Sequence, residues 1–242
     1  MHAVLWGKDH VDLGSVAVEA AGPKAAVAIT RGRHRKAYRY TDPNEDAAVA
    51  VAGRRATLLA VADGHNGWAA TEAAIRTVVD ALGDDPPPAD LADADLVDLF
   101  LAASNAVLEV TDHPTSATPN SRTTLVVALV SGRRLQWASF GDSAVYTVTP
   151  AGAAQLSRST HRFVGYPMER FAVDVMLDRG TTSLSDGAWV VAASDGLVDF
   201  AHPFPTGLFG PGASPAEVAE GLIGAACDGG AGDNVAVAVA AP

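Results

Sequence analysis

Short apolar runs that begin or end on an aspartate recur along this chain, and they constrain its fold more than any other feature. Asp46 precedes residues 47–52, Asp63 follows 57–62, Asp195 follows 188–194 and Asp233 precedes 235–240. Runs of this length, bounded by turn residues, read as buried strands. Carboxylates at strand ends from distant parts of a sequence can converge in one cleft. No basic run of matching strength sits beside them, so a bound cation is the natural way to neutralise them. Hard cations such as Mg²⁺ and Mn²⁺ prefer carboxylate, carbonyl and water oxygens. The pattern points to a metal site.

The rest of the chain supplies a scaffold. A first strand is expected at 24–30, followed by the basic turn RGRHRKAYRY, whose charges read as a solvated loop. Runs 47–52 and 57–62 flank Gly53-Arg54-Arg55 as a hairpin. Ile75, Val78, Val79 and Leu82 recur at helical spacing, with Gly83 as a stop, and Leu96, Leu99, Phe100, Ala103 and Val107 form a second helical face. These two helices, joined by a proline-rich connector, should pack on a sheet. Further hairpins are expected at 123–130 with 134–140, and at 144–149 with 153–156. Residues 157–180 break the pattern and read as an irregular flap. A third helix begins at the capping box Ser214-Pro215-Ala216-Glu217, and a last strand spans 234–240. No linker separates two parts, so 1–242 is expected to be one domain.

Composition narrows the function. The chain has 242 residues, 48% hydrophobic and 19% charged, which suits a folded domain with a large core. A net charge of −11 disfavours nucleic acid and anionic membranes as partners. The single Cys227 excludes an intrachain disulfide and fits a reducing compartment. The beginning of the chain lacks the apolar core of a signal peptide, and no stretch reaches the roughly 18 apolar residues of a membrane helix. A cytoplasmic, monomeric protein is expected.

The chemistry-bearing blocks, in order, are Asn44-Glu45-Asp46, Asp63-Gly64-His65-Asn66-Gly67, Thr123-Thr124, Gly141-Asp142-Ser143, Ser194-Asp195-Gly196-Leu197 and Gly232-Asp233-Asn234. Each alone is weak, because Asp-Gly is above all a turn dipeptide. As an ordered set they resemble the metal-dependent protein phosphatases of the PP2C (PPM) family. The resemblance implies an α+β fold, an αββα sandwich of two antiparallel sheets flanked by helix pairs. It also implies two Mn²⁺ or Mg²⁺ ions. In that scheme Asp63 bridges the ions and Gly64 offers its carbonyl to the first. Asp195 and Asp233 hold the second, Asp46 orients bound water with Glu45 beside it, and Asp142 serves a third, weaker ion.

The implied reaction is hydrolysis of phosphoserine or phosphothreonine, with His65 as proton donor to the departing alkoxide. The resemblance also places a phosphate-binding arginine shortly before the acidic pair. Arg39 is nearest, with Asp42-Pro43 inserted between; Arg122, ahead of the threonine pair, is a second source of that charge if it faces the cleft. Asn66 stands where a glycine is usual and must tolerate a left-handed backbone. Cys227 has no phosphate-cradling loop after it, which argues against a cysteine nucleophile. Expected partners are a phosphoprotein or phosphopeptide and a serine/threonine kinase pathway. A phosphatase of small metabolites and an inactive binding module of the same fold are the competing readings.

Overall fold

The computed structural model of the protein describes residues 1–36, 42–113 and 116–242. The strands are β1 (His2–Trp6), β2 (Val16–Ala21), β3 (Ala25–Thr30), β4 (Ala47–Ala52), β5 (Thr57–Ala62), β6 (Gly64–His65), β7 (Arg122–Thr123), β8 (Leu125–Ser131), β9 (Arg134–Phe140), β10 (Ala144–Thr149), β11 (Gly152–Gln155), β12 (Asp178–Ser183), β13 (Trp189–Ala193) and β14 (Val235–Ala240). The helices are α1 (Ala69–Leu82), α2 (Asp93–Thr111), α3 (Arg170–Met176), α4 (Asp195–Phe200) and α5 (Pro215–Asp228). Strands β1-β4-β5-β8-β9-β12 form one six-stranded sheet and β11-β10-β13-β14-β3-β2 a second, both with antiparallel pairing throughout.

Three apolar layers explain why the central strands read as continuous hydrophobic runs rather than alternating ones. Val49, Val51, Leu58, Ala60, Val127 and Leu129 face α1 and α2 with Ile75, Val78, Leu96 and Phe100. The alternate residues of the same strands, Ala48, Ala50, Leu59, Val61 and Val126, meet Val27, Ile29, Val190 and Ala236 of the second sheet. On the far side Val191, Val237 and Val239 pack against Val218, Leu222 and Ile223 of α5. A sheet covered on both faces needs apolar residues at every position, as parallel sheets usually do. The result is the expected αββα sandwich.

Three local differences from the sequence reading have physical causes. The run at 24–30 is the third strand, because β1 and β2 precede it as short strands on sheet edges. The flap is irregular only in part: it contains α3, and its end forms the edge strand β12 on β9. Strand β12, with the sequence DRGTTS, has no large apolar residue and is held by its ladder and by Gly180 lying against the Trp137 indole opposite it. Asp195 opens the six-residue helix α4, which joins α5 on the outer face. Among the described residues no helix is long and apolar enough to cross a membrane.

Candidate metal centre

Strand register brings the acidic residues together. Ala47 pairs with Ala62, so Asp46 and Asp63 follow one another at the same end of the β4–β5 hairpin. The Thr124 amide donates to the Asp63 carbonyl at 2.9 Å, continuing the β5–β8 ladder to that end. Asp142 lies in the turn from β9 to β10, where the chain crosses between sheets. Ala144 pairs with Ala193, which sets that turn beside Asp195. Val235 pairs with Thr30, so Asp233 and the segment after β3 share the same end of the second sheet. One carboxylate oxygen each from Asp63, Asp142 and Asp195 lies within 4.8 Å of the others.

Neighbouring groups fix these side chains. The Thr123 hydroxyl donates to the Asp63 carbonyl at 2.9 Å, and the Asp63 amide donates to Thr124 Oγ1 at 3.0 Å. Thr124 Oγ1 and Ser143 Oγ share a hydrogen bond of 2.7 Å, tying the β8 start to the Asp142 turn. Gly64 is obligatory: a Cβ there would sit 2.4 Å from the Glu45 carbonyl and 2.5 Å from Thr71 Oγ1. Gly196 is equally confined, since a Cβ would lie 2.0 Å from the Asn234 carbonyl. Glu45 accepts from the amides of Asp42 (3.0 Å) and Gly67 (2.7 Å), ordering the backbone on either side of the site. Asn66 adopts φ 63°, the left-handed conformation anticipated for it.

Two residues of the candidate site escaped the sequence reading. Asn234 accepts from the Glu45 amide at 3.1 Å and donates to the carbonyls of Arg31 (3.1 Å) and Pro43 (3.0 Å). It thus clamps the loop before Asp46 onto the second sheet. Lys36, expected in a solvated loop, is instead buried, with 3% of its side chain exposed. Its Nζ lies 2.7 Å from Asp233 Oδ1 and 3.9 Å from Glu45 Oε2. The correction has a plain cause: a lysine among several carboxylates gains more from them than it loses by leaving water. Burial acts to lower its pKa, yet Asp46, Asp233 and Asp63 together hold it above the ordinary lysine value.

The carboxyls respond in the opposite direction. Burial, followed by the nearby charge of Asp63, pushes Asp195 up to about 10. Burial also raises Asp46, to about 7, against the opposing pull of Lys36. Asp63 is raised well above the usual carboxylate range by burial and by Asp46. Each of these carboxyls is thus harder to ionise than a free one, and added positive charge would favour its ionised form.

Asp46 offers the clearest test of fit to a metal. It is 1% exposed, and among the described residues neither of its carboxylate oxygens has a hydrogen-bond partner in good geometry, although Ser194 and Lys36 lie nearby. Buried polar atoms are rarely left so, because the lost solvation is costly. An all-oxygen donor set with such an orphan suits a hard divalent cation.

His65 is half-buried against Phe163, with ring centroids 4.8 Å apart, and its Nδ1 has no hydrogen-bond partner among the described residues. Arg122 pairs with His65 across β6–β7. Its guanidinium lies over Tyr166 and donates to the Ser121 carbonyl and the Thr111 hydroxyl, so it is engaged in supporting the flap. Arg39 lies outside the described residues.

No protein-family profile matches the chain, and no curated protein matches it in sequence. Solved structures do. A bacterial serine phosphatase carrying a single arginine substitution superposes with a TM-score of 0.75 at 21% identity, covering 90% of this chain and 97% of that one. The catalytic domain of the serine/threonine phosphatase PstP in complex with two manganese ions gives a TM-score of 0.67 at 27% identity, covering 94% and 99%. Stp1 from Staphylococcus aureus gives 0.71 at 18% identity, covering 96% and 98%.

Proposed function

The chain is a PP2C-type phosphatase in fold, and from that premise we propose that it hydrolyses phosphoserine and phosphothreonine monoesters with the help of two Mn²⁺ or Mg²⁺ ions. The observation that carries this reading is the gathering of Asp63, Asp142 and Asp195 beside the orphaned, buried carboxylate of Asp46. Asp63, Asp142 and Asp195, with the Gly64 carbonyl, would hold ions on one side, and Asp233 and Asp46 would complete the other. Such ions supply a water of lowered pKa and positive charge for the phosphoryl oxygens.

The chain's own residues account for the remaining requirements. Gly64, lacking Cβ, lets the backbone pass close under Glu45 and Thr71, which keeps Asp63 and His65 at fixed separation. An extended chain sends residues 63 and 65 to the same side. From there the His65 imidazolium would donate its proton to the leaving oxygen as the P–O bond breaks, a contribution of roughly 10²–10⁴-fold for an alkoxide. Arg39 remains the residue proposed to orient the phosphate through its planar fork of donors.

The test is turnover of p-nitrophenyl phosphate and a phosphothreonine peptide by purified protein, with Mn²⁺ or Mg²⁺ and then with chelator. Metal-dependent hydrolysis of both is expected. Hydrolysis that persists in chelator would contradict the reading, and turnover of small phosphorylated metabolites without peptides would redirect the substrate assignment. Asp63→Asn and Asp195→Asn should each lower kcat at least about a hundredfold, an effect on the scale of losing charge stabilisation at a reaction centre. A variant retaining full rate would remove its residue from the centre.

A further inference from the structure

The Lys36 ammonium sits against a carboxylate of the acidic centre. It is buried, lies 2.7 Å from Asp233 Oδ1 and is attracted electrostatically by Asp46 and Asp63. The gathered group of Asp63, Asp142 and Asp195 does not include Asp233. Within the acidic centre, Asp233 is thus the carboxylate that Lys36 contacts directly. We propose that Lys36 is a tethered counter-cation that competes with the second divalent ion for the Asp233 side of the centre. The inference rests on the metal-dependent reading above and specifies how that centre fills.

An ammonium and a divalent ion seek the same carboxylate oxygens, and two cations a few ångströms apart in a poorly solvated site repel strongly. Lysine suits a displaceable role because its charge is compact and rides on a flexible four-carbon stem. The first ion enters the group of Asp63, Asp142 and Asp195 with Lys36 still seated. The second must first draw the ammonium away from Asp233, so it binds more weakly than the same oxygens would otherwise allow. The two ions then load at well-separated concentrations, and the second governs how activity responds to free metal.

Calorimetric titration of metal-free protein with Mn²⁺, paired with equilibrium dialysis for stoichiometry, tests this on the wild type, Lys36→Met, Lys36→Gln and Asp195→Asn. The wild type should show a strong and a weak step. Both Lys36 variants should tighten the weak step at least tenfold and change the strong one less than threefold. An unchanged or weakened second step in either folded variant would overturn the proposal. So would failure of both variants to fold in saturating Mn²⁺, since an ion able to replace Lys36 should rescue them. Asp195→Asn separates the two levels of inference: if it leaves both steps intact, the metal-centre reading fails. If it abolishes the strong step while the Lys36 variants match wild type, only the competition fails.

Discussion

Asp46 and His65 illustrate how much a single side chain's surroundings decide. Asp46 is buried and, among the described residues, no donor meets either oxygen in hydrogen-bonding geometry, a condition that suits a nearby cation. His65 has Phe163 against its ring and, among the described residues, no partner at Nδ1. His65→Ala is expected to lower kcat by about 10²-fold or more on alkyl phosphates, whose leaving groups need a proton. On p-nitrophenyl phosphate the loss should be much smaller. Equal losses on the two substrates would assign His65 to structure instead. Lys36 is the residue that sequence reasoning could not place. Its neighbours in the chain, Arg31, Arg33 and Arg35, suggest a solvated basic turn, and only the three-dimensional gathering of Asp233 and Glu45 gives it a partner.

Elements were legible where local chemistry and tertiary demand agreed. Ser214 caps α5 as its sequence announces: its hydroxyl accepts from the Glu217 amide while Glu217 reaches back to the Ser214 amide. Ser214→Ala should reduce stability by about 1 kcal/mol, read as a lowered denaturation midpoint, with kcat unchanged because α5 lies on the outer face. The hairpin β4–β5 and strand β14 were equally plain, since their unbroken apolar runs can be satisfied only between two covered faces. Strands β1, β2 and β12 were not. They lie on or beside sheet edges, where one ladder can hold a segment of weak propensity. The motif order singled out the acidic residues that the fold gathers, but not Asn234 as a clamp, because an amide's value lies in which carbonyls the fold brings to it. Gly64→Ala tests the confinement around the centre: with no room beside Glu45 and Thr71, the variant should lose Mn²⁺ affinity and melt at lower temperature. Retention of both would show that the backbone there can shift.

At the scale of the whole molecule, the acidic centre links folding to pH and to metal. Asp46 and Asp195 rise from an ordinary 3.8 to about 7 and about 10 in the folded chain. Between the unfolded and folded values the native state binds the extra protons. The stability they contribute is complete below pH ~4 and is lost as pH climbs through 7 toward 10. Metal-free protein should therefore melt at progressively lower temperature between pH 5 and 9. Added Mn²⁺ should raise the melting temperature most at the upper end of that range, where the carboxyls release protons readily. A metal-free melting temperature that increases steadily over the same interval would contradict the linkage.

The carboxylate-bearing strand ends all lie at one end of the sandwich, and the Gly53-Arg54-Arg55, Ser131-Gly132-Arg133 and Pro150-Ala151 turns lie at the other. The acidic centre and these turns are thus separated along the strand axis. A short reporter peptide inserted between Pro150 and Ala151 should leave Mn²⁺ affinity untouched, offering a handle for immobilising the protein with its acidic end facing outward.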